Sequence, residues 1–297
     1  MEKDLTESIG KEAAALSLVE IGLGSFLHSF KIPFAGHLLS INQIVILSRS
    51  SFKLKSSQSP LKISLIAALL KSLSPAGKKL TPMLALAAQG LLFSLGITLL
   101  GINYLGLIFA VLLSSLWAFI QPILFILLLF GKTTIEVADY FIHEFEKVIP
   151  HTDKIIIWIV ALLIIIKFLM TFVLSIVVIK MSDAKFENYQ NFLILKIKER
   201  KSSPTSAAWM ALRDLFNPLF ILTFVLTLLF FVYSNASFAQ TIWALLRPMA
   251  IGYVFFYVIR VYPIEKLSGY FKRKGFHQFS KSLEVAINAV KKNKKHY

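Results

Sequence analysis

Long apolar stretches alternate with short polar breaks along most of the chain, and this pattern predicts membrane-spanning helices. The longest apolar run covers residues 82–130, where PMLALAAQGLLFSLGITLL and YLGLIFAVLLSSLWAFIQPILFILLLF flank a break at 101–103 and no residue is charged. About 20 apolar residues cross the hydrocarbon of a bilayer, and lipid offers the backbone no hydrogen-bond partner. Each half of this run is therefore expected to be a spanning helix.

The same pattern predicts an all-α fold, a polytopic transmembrane helical bundle of about eight spans. The spans are expected at 12–30, 37–50, 61–74, 82–100, 104–131, 154–181, 214–234 and 240–261. The polar break KERKSSPTS at 198–206 separates the last two spans from the others. The predicted organisation is a six-span core at 1–181, a basic cytoplasmic loop at 182–213, two additional helices at 214–261 and a basic cytoplasmic tail at 262–297.

Composition and charge agree with this class. The chain is 56% hydrophobic and 16% charged, against about 25% charged in an average soluble domain. The net charge of +16 would suggest nucleic acid binding in a soluble protein, but Lys and Arg accumulate in the cytoplasmic loops of membrane proteins. We therefore expect a multi-pass protein of a bacterial inner membrane with both termini cytoplasmic. The basic tail is expected to contact membrane lipids, and no nucleic acid partner is expected.

Polar residues inside the predicted spans are the candidates for solute binding, because they are costly in lipid. A break at Pro33 and Gly36 precedes the first of them, and irregular backbone at this depth needs protein or a water-filled cavity around it. The predicted substrate-binding residues are His37, Asn42, Gln43, Gln89 and Asn103, with Lys78 and Lys79 at the outer mouth. A structural histidine and a solvated lysine turn are the alternatives for these positions.

Small residues line one face of the first span and predict close helix packing. This face is expected to bind a partner membrane subunit or to pack inside the same bundle. Its residues are Ala13, Ala14, Ala15 and Ser17.

Motifs for catalysis are absent from the sequence. The chain has no cysteine and no GxxxxGK[ST], HExxH or GxSxG pattern, so we expect neither an enzyme nor a bound cofactor. An intramembrane lipid-modifying enzyme is an alternative function that the sequence disfavours, because paired acids and clustered histidines are missing.

Two patches resemble a known transporter family. The first is Ile32-Pro33 followed by Gly36-His37-Leu38-Leu39, and the second is Gln89-Gly90-Leu91-Leu92-Phe93 with Gly96, Leu100-Gly101 and Asn103. Their order resembles the substrate-binding (S) components of energy-coupling-factor transporters and is most similar to the cobalt/nickel branch.

The resemblance implies a six-span bundle that binds a vitamin or metal ion from outside. It also implies a transmembrane coupling subunit and cytoplasmic ATPases as partners in trans, with Ala13, Ala14 and Ala15 on the face that meets the coupling subunit. His37 matches the family's metal-ligand histidine. The sequence therefore predicts a solute-binding transporter subunit. The alternative is a membrane scaffold or assembly protein that recruits partners through its small-residue face and basic segments.

Overall fold

A computed structural model describes residues 2–29, 34–72, 80–147, 149, 151–193, 206–216, 218–234, 237–261 and 265–295. Within these residues the chain forms thirteen helices and no strand, which confirms the predicted all-α class. The helices are α1 (Glu2–Ser29), α2 (Ala35–Leu54), α3 (Ser59–Lys71), α4 (Leu80–Leu100), α5 (Tyr104–Phe130), α6 (Thr133–Glu146), α7 (Thr152–Lys180), α8 (Asp183–Leu193), α9 (Ala207–Leu215), α10 (Pro218–Tyr233), α11 (Phe238–Val261), α12 (Glu265–Arg273) and α13 (His277–Lys295).

Four of these helices are long and apolar enough to cross a membrane, judged by length and composition among the described residues. They are α4, α5, α7 and α11, and α10 is a shorter apolar helix. Large apolar side chains on them are exposed, such as Leu99, Trp158 and Trp243, as expected for surfaces that face lipid. The chain is thus a membrane-embedded helical protein. Seven of the eight predicted segments each overlap one helix, and 214–234 overlaps both α9 and α10. The number of spans stays a prediction, because α1, α2, α3 and α10 fall outside the four helices that meet this criterion.

The turn between α4 and α5 shows how local sequence sets helix ends. Gly101 has φ +83°, a left-handed conformation that glycine adopts without a steric penalty, and its N–H donates to the Ile97 carbonyl at 2.8 Å. Asn103 then caps the start of α5, where its side-chain Oδ1 accepts a hydrogen bond from the Gly106 N–H at 2.9 Å.

The chain divides into two compact units. The first comprises Met1–Ala118, Lys167–Ser203 and Tyr262–Tyr297, and the second comprises Phe119–Ile166 and Pro204–Val261. This division differs from the predicted boundaries at 181, 213 and 261. The predicted tail belongs to the first unit, because its helix α13 carries an apolar stripe, Leu283, Ala286, Ile287 and Val290, that is buried in the same core as α1.

The first unit is built around α2, whose residues 39–51 are all buried. Helix α3 packs on α4, where the absence of a side chain at Gly90 leaves room for Ser64. Helix α13 lies against the first half of α1, and Ser282 Oγ donates to the Thr6 carbonyl at 2.9 Å. The first and last helices of the chain therefore pack together.

The second unit contains α6, α9, α10 and α11 with the adjoining parts of α5 and α7. Aromatic pairs hold part of it together: the ring centroids of Phe130 and Phe220 lie 5.6 Å apart, and those of Tyr140 and Phe230 lie 5.7 Å apart. Ser206 caps α9 by accepting a hydrogen bond from the Trp209 N–H at 3.3 Å. Helix α6 follows α5 after a turn at Gly131, whose φ is +65°.

Candidate functional site

Helix α2 is buried on all sides although many of the residues in its middle are polar. Buried hydroxyl, amide and guanidinium groups need hydrogen-bond partners, either on neighbouring helices or on the backbone of the same helix. Its buried polar residues are Ser40, Asn42, Gln43, Ser48, Arg49, Ser50 and Ser51. The partners of these residues locate the candidate site.

Two partners from other helices converge on Ser40, and one of them also reaches a third helix. Gln89 Nε2 on α4 donates to Ser40 Oγ at 2.8 Å, and Lys167 Nζ on α7 donates to the same oxygen at 3.0 Å. Lys167 Nζ also donates to the Ser115 carbonyl on α5 at 3.2 Å. We call His37, Ser40, Gln89, Ser115 and Lys167 the polar cluster; all five residues belong to the first unit.

Two polar atoms of the polar cluster are buried without a hydrogen-bond partner among the described residues. They are Gln89 Oε1 and Ser115 Oγ. An unsatisfied buried polar group costs about 1–3 kcal/mol. Two such atoms beside a buried ammonium group form a set of groups able to hydrogen-bond a small polar molecule.

His37 lies at the start of α2, one turn before Ser40 and on the same face of the helix. It is half-buried, within electrostatic reach of Lys167, and its ring stands edge-on to Phe34 with centroids 5.7 Å apart. Of the predicted residues, Gln89 is thus joined to Lys167 through Ser40, and His37 lies one turn away on the same face of α2.

The other predicted residues of α2 take part in different contacts. Gln43 Nε2 donates to Ser64 Oγ at 3.1 Å and to the Leu86 carbonyl at 2.8 Å, which ties α2 to α3 and α4. Asn42 Oδ1 accepts a hydrogen bond from Tyr189 OH on α8 at 3.0 Å. The position of Asn42, two residues from Ser40, turns it to another side of the helix.

Asn103 is not brought to the polar cluster. Its side chain is exposed and makes local hydrogen bonds, donating to the Leu100 carbonyl at 2.8 Å and accepting from the Gly106 N–H. An asparagine in this position caps a helix, which explains its place between two spans without a solute. Lys78 and Lys79 lie outside the described residues.

The small-residue face of α1 is covered by the chain itself. Ala13, Ala14 and Ser17 are buried and Ala15 is half-buried. Ala13 and Ala14 belong to one apolar core with residues of α2, α3 and α13. The structure therefore favours internal packing over the predicted partner-binding role of this face.

The sequence analysis missed Lys167 as a site residue. It is the only charged residue between Lys154 and Lys180 in an apolar helix. An ionisable residue in such a position is a candidate for function by its location alone. Glu20, also isolated in an apolar segment, has a partner: Lys71 Nζ lies 3.5 Å from its Oε2 and donates to its backbone carbonyl.

The described residues include no group of three or more His, Asp or Glu side chains placed to hold a metal ion. The predicted metal role of His37 therefore gains no support from its surroundings.

Comparisons with protein-family models, with curated proteins and with solved structures each found no match to this chain.

Proposed function

We propose that this protein is the solute-binding subunit of an uptake transporter of the energy-coupling-factor type in a bacterial inner membrane. The observation that carries the proposal is the hydrogen-bonded set of Ser40, Gln89 and Lys167, buried among helices of which three are apolar enough to span a membrane. A lysine and an amide in such surroundings are costly, and proteins retain them where they serve a pathway or a binding site.

The half-buried position of His37 supports a route for the solute. His37 lies in the first turn of α2, and Ser40 lies one turn further along the helix and is buried. A solute that meets the imidazole first would reach Gln89 and Lys167 by moving one turn along α2. In the predicted topology this end of α2 opens to the outer side of the membrane.

Energy for transport would come from other subunits, because the sequence holds no phosphate-binding GxxxxGK[ST] motif. Cytoplasmic ATPases and a transmembrane coupling subunit are the partners that the family resemblance implies. The packing of α1 against α13 supports placing both ends of the chain on one side of the membrane, which the basic tail assigns to the cytoplasm.

A membrane scaffold is the second candidate, and one observation favours it. Ser40, Gln89 and Lys167 are all nearly inaccessible to solvent, with 2–6% of their surface exposed. A scaffold would use such hydrogen bonds only to align its helices. The two functions differ in whether a small molecule occupies the polar cluster.

Native mass spectrometry of the full chain after gentle extraction separates the two functions. A transporter subunit is expected to carry a small ligand that dissociates on activation, and Lys167→Met is expected to remove it. Lys154→Met is the matched control, since it makes the same change at an exposed position of α7. A wild-type protein that never carries a ligand, or a ligand equally retained by Lys167→Met, would overturn the proposal.

A further inference from the structure

The side chains of the polar cluster define the charge of the molecule that they would hold. Lys167 supplies a buried ammonium group, and Ser40, Gln89 and Ser115 are uncharged. His37 adds no negative charge in either protonation state. The polar cluster thus has cationic or neutral side chains and no carboxylate among its five members.

The unpartnered atoms of the polar cluster define its hydrogen-bonding pattern. Ser115 Oγ is a hydroxyl that can donate to an anion beside the Lys167 ammonium, which already touches the Ser115 carbonyl at 3.2 Å. Gln89 Oε1 can only accept, so an N–H or O–H group on the bound molecule would satisfy it, and a carboxylate without such a group can still bind Lys167 and Ser115. Both atoms belong to residues that Lys167 or Ser40 contacts directly.

We infer that the polar cluster binds a small organic anion, with its carboxylate against Lys167 and Ser115 and a hydrogen-bond donor against Gln89. The inference rests on the proposed solute-binding function and names the class of solute. Charge-assisted hydrogen bonds to an ammonium group are about twice as strong as neutral ones, and a desolvated site strengthens them further. The same ammonium group opposes a divalent cation, the solute of the family branch that the sequence most resembles.

Probes that share one skeleton and differ in charge test this assignment. Propionate and propionamide have the same number of heavy atoms and propylammonium has one fewer, and the three carry charges of about −1, 0 and +1 at neutral pH. Ni²⁺ serves as the metal probe. We expect only propionate to raise the thermal unfolding midpoint of the full chain in a concentration-dependent manner. Lys167→Met should weaken its apparent affinity by about 10- to 100-fold, the usual loss for a charged hydrogen bond.

Two further variants keep the test informative if Lys167→Met fails to fold. Lys167→Arg retains the charge and should retain propionate binding better than Lys167→Met. Gln89→Glu preserves the shape and adds a negative charge facing Lys167, so it should abolish propionate binding while the protein stays folded.

A shift produced by propylammonium, propionamide or Ni²⁺ instead of propionate would overturn the anion assignment. Absence of any shift, or a propionate shift equal in wild type and Gln89→Glu, would overturn it as well. The native mass spectrometry described above keeps the two proposals apart. A ligand that depends on Lys167 upholds the solute-binding function even when the anion assignment fails, and its absence contradicts both.

Discussion

Replacing Arg49 should destabilise the first unit strongly, because this buried guanidinium group joins α2 to the end of α7 and to the start of α8. Arg49 Nη1 donates to the carbonyls of Val178 and Met181, each at 2.6 Å, at the end of α7. Its Nη2 donates to Asp183 Oδ1 at 2.6 Å, and its guanidinium carbon lies 4.6 Å from the ring centroid of Phe186.

The size of the effect follows from the two carbonyl contacts. Hydrogen bonds from a charged donor are worth about 1.5–3 kcal/mol each, so their loss in Arg49→Met predicts a decrease of about 3–5 kcal/mol in the free energy of unfolding. At about 2–4 °C per kcal/mol for a domain of 150–250 residues, the melting temperature should fall by about 10 °C.

Lys53→Met is the matched control. Lys53 Nζ contacts the same Asp183 oxygen at 2.8 Å, but its side chain is half exposed and water screens the ion pair. Thermal unfolding in detergent should therefore show a large fall for Arg49→Met and almost none for Lys53→Met. Equal, small shifts for the two variants would refute the assignment of Arg49 as the buried link between α2 and the end of α7.

Three other predictions concern packing and pH. Gly96→Ala should destabilise the protein by about 1–3 kcal/mol, since a methyl group there would lie 2.5 Å from Ala110 Cα. Gly269→Ala should leave stability unchanged, because no other atom of the described residues lies within 4 Å of the added methyl group. Leu283→Ala, at a fully buried position of α13, should lower the free energy of unfolding by about 2–5 kcal/mol. Lys281→Ala, at an exposed position, should leave denaturant unfolding unchanged. A Leu283→Ala variant as stable as the wild type would contradict the packing of α13 on α1. Hydrogen bonds from Lys53 and Arg49 hold the pKa of Asp183 below its ordinary value. The contribution of Asp183 to stability is therefore present above about pH 4, which is the pKa of an aspartate in the unfolded chain. It is lost as pH falls through the lower pKa of the folded state. Asp183→Asn should flatten this part of the pH profile of the unfolding midpoint, and an unchanged profile would count against the pairing.

Helix positions could be predicted from the sequence because lipid-facing helices must be apolar along their whole length. The breaks at Gly101 and around 131–132 fall where α4 and α5 end, and seven of the eight predicted spans each overlap one helix, whereas 214–234 covers the end of α9 and all of α10. Glycine at a left-handed position and polar residues between apolar runs are local signals that need no knowledge of the rest of the fold.

Contacts between helices could not be predicted in the same way. Helix α7 carries Lys167, Thr171 and Ser175 at intervals of four, and this stripe is the buried side of the helix. The stripe does not indicate which helix it faces or that Lys167 meets Ser40. The sequence does not indicate that Asn103 lies away from the polar cluster, because the residue type that can bind a solute is also one that caps a helix. The packing of α13 was missed because its many lysines obscured an apolar stripe with helical spacing.

Accessibility of Ser115 from water tests most directly whether the polar cluster receives a solute. The chain has no cysteine, so a single Ser115→Cys change gives one reactive thiol. Ser175→Cys is the control, since Ser175 is equally buried in the first unit but hydrogen-bonded to Ser48 Oγ at 3.0 Å. A small water-soluble thiosulfonate is expected to label Ser115→Cys in membranes, to be slowed by propionate, and to leave Ser175→Cys unmodified. If both thiols stay unlabelled, the polar cluster is closed packing and the transporter function is contradicted.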